Sequence, residues 1–141
     1  MIKATKVLDW ANVHAPSSAD IEGLADAAYR RLPTEFSKLC EGLVIHVTDF
    51  PDPETLEEME AQSEFELLGL FRGRGLAQGP AVAETGTLPN MIWLYRRPLL
   101  DFWCEGEDSL GEVVTHVLIH EIGHHFGLSD DDMEAIEDAT D

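Results

Sequence analysis

Four of the six histidines fall within ten residues: His116, His120, His124 and His125. Among them stands His120-Glu121-Ile122-Gly123-His124, a string of the form H-E-x-x-H. Residues four apart on a helix stack on one face, so His120 and His124 aim both imidazoles at one point, as a tetrahedral metal requires. Glu121 lies about 100° round the helix from His120, placed to handle the protons of a reacting water without ligating the ion. Gly127 stands where the helix should stop, because glycine adopts the left-handed conformation that reverses a chain. Asp130 follows three residues later and is the expected third ligand, completing H-E-x-x-H-x-x-G-x-x-D. A bare HExxH arises by chance in about 0.03 chains of this composition, and the Gly and Asp offsets lower that to ~0.0002.

Plainer readings exist for each residue. His120 and His124 could be core histidines bonded to backbone carbonyls, but Glu121, Gly127 and Asp130 would then be coincidences. Asp130 could cap a terminal helix that starts around Asp131 and carries Met133 and Ile136, and Asp131, Asp132 and Glu134 rival it as ligands. His116 extends the stripe, yet a straight helix cannot bring three imidazoles one turn apart onto one tetrahedral ion. A place in the core or behind a ligand is expected for it. His125 points about 100° away from His124 and is read as structural or as part of the cleft wall. Met133 is assigned to core packing.

The element carrying these residues should be a helix from Leu110 to Phe126, opened by the capping box Ser109-x-x-Glu112. Its remaining positions are apolar on nearly all sides, which predicts burial. Upstream, Ser17 or Ser18 should cap a helix with Ile21, Leu24, Ala25, Ala28 and Leu32 at helical spacing, ended by Pro33. A short second helix, Thr34 to Cys40, is expected to stop near Gly42. The runs 43–47 and 91–95 read as strands, the latter ending near Arg96-Arg97-Pro98. The acidic segment 54–66 is a candidate solvated helix, and 67–79, with four glycines, a short strand or hairpin followed by a flexible loop. Residues 1–16 are read as an extended arm. No repeat or shift in composition divides the chain, so residues 1–141 are expected to form one domain.

Charge narrows the partners. The chain has 28 acidic and 9 basic side chains, a net −19, and no Lys or Arg follows Arg97. Such a surface repels phosphate backbones and anionic membranes, so no nucleic-acid or membrane partner is expected. The same field predicts a preference for cations and basic peptides. No stretch is long and apolar enough to span a membrane, and no apolar run follows the first lysines as in a secretory signal. Cys40 and Cys104 form no CxxC and are read as free thiols, with the cytoplasm as the expected compartment.

These residues resemble the small bacterial zincin-like metallopeptidases, sometimes called minimal metalloproteases. The resemblance rests on 120–127, His-Glu-Ile-Gly-His-His-Phe-Gly, and on four further segments: Leu32-Pro33, 49–53, 67–71 and 92–99. It implies an α+β fold, with a small mixed sheet packed on N-terminal helices and on a buried active-site helix, and zinc held by His120, His124 and Asp130. Residues 1–16 fall outside the resemblance, and the substrate is left open by it.

The expected activity is hydrolysis of peptide bonds. Three protein ligands leave a fourth position on zinc for water, whose pKa falls towards about 7. Glu121 then takes the water's proton and passes it to the leaving amine. By likeness to zincins generally, the peptide should lie extended against strand 91–95, with Trp93, Tyr95, Arg97 and His125 as candidate substrate contacts. Two other readings stand beside it: a non-catalytic zinc-binding scaffold, and an acidic interaction protein such as a DNA mimic. The latter has no need of the ordered metal string.

Overall fold

The computed structural model describes residues 8–73 and 89–140. Helix α1, Ser18–Arg31, begins at a reciprocal box in which Asp20 N–H donates to Ser17 Oγ and Ser17 N–H donates to the Asp20 carboxylate. It stops at Leu32, which the following proline holds in an extended conformation. A short α2, Thr34–Ser37, runs into a tight turn, Lys38–Cys40, and delivers the chain to β1, Val44–Thr48. Asp52 caps α3, Pro53–Glu58, with proline at the first helical position. Then come β2, Gly69–Arg72, and β3, Met91–Tyr95. Three helices complete the order: α4, Arg96–Glu105, α5, Leu110–His125, and α6, Asp130–Thr140.

The sheet has the order β1-β3-β2, with β1 parallel and β2 antiparallel to β3. Alternation along β3 turns Ile92 and Leu94, both fully buried, towards the helices. They meet Ile21, Ala25 and Ala28 of α1 and Val114, Leu118, Ile119 and Ile122 of α5 in one core. Gly69 allows β2 to approach α5 closely. A Cβ there would stand 3.0 Å from Trp93 O and 3.3 Å from Val117 Cγ1. This is the expected α+β arrangement, a small mixed sheet packed on helices α1 and α5.

Several expectations change. β3 is the central strand, paired on both sides, so strand 91–95 has no free edge for a substrate to join. Arg96-Arg97-Pro98 reads as a break, but it opens helix α4: Pro98 sits in the first turn, where no helical N–H is required of it. The acidic segment is helical only over Pro53–Glu58, and the arm contains a tight turn at Trp10–Asn12. Residues 1–7 of the arm and 74–79 of the glycine-rich segment lie outside the described residues. Among the described residues, no helix is long and apolar enough to cross a membrane.

Candidate active site

Helix α5 starts at the expected box, with Glu112 N–H donating to Ser109 Oγ and Ser109 N–H donating to the Glu112 carboxylate, each at 3.1 Å. It ends in a left-handed reversal. Gly127 has φ +76°, Leu128 N–H donates to Gly123 O at 2.9 Å, and Gly127 N–H donates to His124 O at 3.2 Å. The reversal folds α6 back along α5. Gly123 sets how closely the two helices approach, since a Cβ at that position would stand 2.7 Å from Cγ of the fully buried Met133. Ser129 caps α6, its Oγ accepting from Asp132 N–H at 3.1 Å. Asp130 is therefore the first helical residue and not the cap, and Asp132 is engaged in the capping box.

Along this seam, imidazoles face carboxylates. His124 Nε2 lies 3.9 Å from Asp130 Oδ1, both side chains largely exposed. His120 Nε2 lies 3.8 Å from Glu137 Oε2, and His116 Nδ1 lies 2.5 Å from Glu137 Oε1 in a hydrogen bond. The His120 ring is 5.7 Å from that of His124 and 4.0 Å from that of His116, centroid to centroid. The helix is thus not buried all round: His116 and His124 are exposed, and His116 does not belong to the core. Burial, with the His116 ring beside it, lowers the pKa of His120 and favours the neutral imidazole, the form that binds a metal.

Glu121 faces a different environment. It is half-buried, and burial alone pushes its carboxyl up to about 7. His125, one turn further on, packs against Phe71 of β2 at 4.3 Å between ring centroids. Burial holds its pKa down, and among the described residues its buried Nε2 has no hydrogen-bond partner. The side of α5 that carries Glu121 and His125 is thus turned to β2, the side with the stripe to α6.

Trp93 and Arg97 are not brought to the histidines of α5. Trp93 stacks on His46 at 5.3 Å, on the opposite face of β3 from Leu94, and Arg97 lies 5.5 Å above the Phe50 ring. Trp93, Phe50 and Tyr95 line a separate cavity of about 500 Å³ with Asp52, Glu58 and Arg72. Tyr95 is buried, and burial raises its pKa first, with Asp52 and, more weakly, Glu121 adding to the effect. Glu137 went unnoticed in the sequence. Its signal was there: it stands seven residues after Asp130, two turns along the same helix face.

The donors at the seam suit a borderline divalent cation, with imidazoles on one helix and carboxylates on the next. No curated protein matches the chain. A match to the zincin-like metallopeptidase family covers residues 40–140. It takes in every element that frames the seam, from β1 to α6, and more than two thirds of the chain. The chain belongs to the zincin-like metallopeptidase family.

Proposed function

We propose that the protein is a zinc-dependent peptidase in which His120, His124 and Asp130 hold the ion and Glu121 is the general base. The observation that carries this reading is the division of α5 into adjacent sides. His120 and His124 face the carboxylates of α6, while Glu121 is turned towards β2, with burial as the cause of its raised pKa. A divalent ion bound there supplies Lewis acidity towards a peptide carbonyl.

The protein's own part follows from its side chains. Glu121, with a carboxyl pKa near neutrality, accepts a proton from the attacking water as oxygen bonds to the carbonyl carbon. It then delivers that proton to the amine as the C–N bond breaks. Asp130 anchors the ion from a separate helix, its position set by Gly127 and by Gly123 against Met133. β2 replaces β3 as the strand for substrate pairing. It is the edge strand next to α5, and among the described residues its outer side has no strand partner. An extended peptide added to that edge would pass the side of α5 that carries Glu121 and His125. The net charge of −19 favours basic peptides.

Glu121→Gln is the decisive test. The variant should bind one equivalent of zinc as the wild type does and lose cleavage of every peptide found in a library screen. Cleavage at the wild-type rate would remove Glu121 from the mechanism. The charge argument has its own check: cleavage of cationic peptides should slow with added salt more than that of neutral ones. Equal, salt-independent rates would reject it.

A further inference from the structure

The hydrogen bond at the seam joins Glu137 to His116, one turn before the residues assigned to the ion above. We propose that His116, His120 and Glu137 form a second divalent-cation site, overlapping the first at His120, so that one ion occupies either position but not both.

Three observations support it. The ligating atoms of His116, His120 and Glu137 all lie within 4.8 Å of one another. Donors around a tetrahedral zinc ion at ~2.1 Å stand roughly 3.4 Å apart, so small side-chain rotations close the set. Glu137 reaches both imidazoles, with Oε1 towards His116 and Oε2 towards His120, and therefore ties the stripe together from the opposing helix. Finally, this end of the seam is open. His116 and Glu137 line a cavity of about 550 Å³ together with Arg31, Phe102, Ser109 and Glu112, leaving room for water or a small ligand to complete the coordination.

Exclusivity follows from His120. A neutral imidazole offers one lone pair and thus serves one ion. The geometric objection to three imidazoles on one ion still holds, and two overlapping pairs satisfy it. An ion seated with His116 and Glu137 withdraws His120 from His124 and Asp130, leaving the hydrolytic set incomplete. The chemical class is that of zinc, cobalt(II) or nickel(II), which accept mixed imidazole and carboxylate donors.

This inference rests on the assignment of His120 to the ion, and the two sites are separable by mutation. Chelator-stripped protein would be titrated with cobalt(II), followed by its visible absorption and by calorimetry. Wild type should bind one equivalent. His124→Ala, at an exposed position, should still bind one equivalent with a shifted spectrum, and adding Glu137→Gln to it should abolish binding. His116→Ala/Glu137→Gln should keep one equivalent through His120, His124 and Asp130. Loss of binding in His124→Ala overturns the second site, as does binding by His124→Ala that Glu137→Gln leaves untouched. Two equivalents in the wild type overturn exclusivity. Loss in His116→Ala/Glu137→Gln alone counts against the hydrolytic set and leaves the second site standing.

Discussion

The side of α5 that packs on α1 and the sheet is built of fully buried aliphatics: Val114, Leu118, Ile119 and Ile122. The side that meets α6 carries His116, His120 and His124 opposite Asp130 and Glu137, with Gly123 and Met133 as the apolar contact. One helix thus anchors the fold along one face and presents candidate metal ligands along another. Charged and titratable groups on this helix therefore need not be read as a cost to the core. They lie where α6 shields them only in part, and the aliphatic face supplies the burial that holds their backbone still.

Separating the two faces by mutation should produce opposite effects. Leu118→Ala removes a fully buried side chain from the aliphatic face, and should lower stability in urea by about 2–5 kcal/mol. Metal affinity of the folded fraction should hardly move. His124→Ala, at a largely exposed position, should change apo stability by no more than about 0.5 kcal/mol while altering the metal spectrum. Cys40 reports on the same core: it is fully buried, and burial pushes its thiol up to about 11, whereas Cys104 is exposed. A thiol reagent should label Cys104 at once and Cys40 only through unfolding, faster in Leu118→Ala. Chelation of the metal should leave Cys40 protected. Rapid labelling of Cys40 in native apo protein would show that the two faces do not act independently.

Gly123 stands at the contact of α5 with α6. Gly123→Ala gains about 1 kcal/mol of helix propensity but forces the buried Met133 to move, at a cost of about 1–3 kcal/mol. The net stability loss should be about 0–2 kcal/mol. Metal affinity should fall more than stability does, because Asp130 rides on the displaced helix. Met133→Ala in the same chain relieves the clash and should restore affinity while leaving the protein less stable. Affinity unchanged in Gly123→Ala would show that the spacing of α5 and α6 does not set the ligand geometry.

Much of this was legible because it is local. His120, Glu121 and His124 are related by helical periodicity, Ser109 and Glu112 by capping, and Gly127 by the conformation only glycine adopts easily. Most of what the sequence hides depends on chain segments far apart. Strand 91–95 was read correctly as a strand, but its central place depends on where β1 and β2 pair, which no run of residues announces. Strand alternation alone sets Trp93 opposite Leu94, but that the helices pack on the Leu94 face is again a matter of distant segments. Glu137 belongs to the seam only through the reversal at Gly127, and α4 was hidden by a proline that the first turn of a helix accommodates.

The smallest effect concerns the start of α5, at the head of the stripe. Hydrogen bonds from Ser109, backbone first, hold the Glu112 carboxyl below its ordinary value of 4.5. A carboxylate whose folded pKa is lowered stabilises the fold fully above its unfolded value, and that contribution is lost as pH falls through the folded value. Glu112→Gln keeps a side chain that can accept the same hydrogen bond but carries no charge. Wild type should therefore exceed Glu112→Gln in stability at neutral pH by a small margin. That margin should begin to shrink around pH 4.5 and vanish once the carboxylate is protonated. Urea melts of both chains at a series of pH values measure it. Equal stability of the two chains at neutral pH would assign the cap to hydrogen bonding alone, and the negative charge at the head of α5 would then have no part in holding the helix that carries both faces.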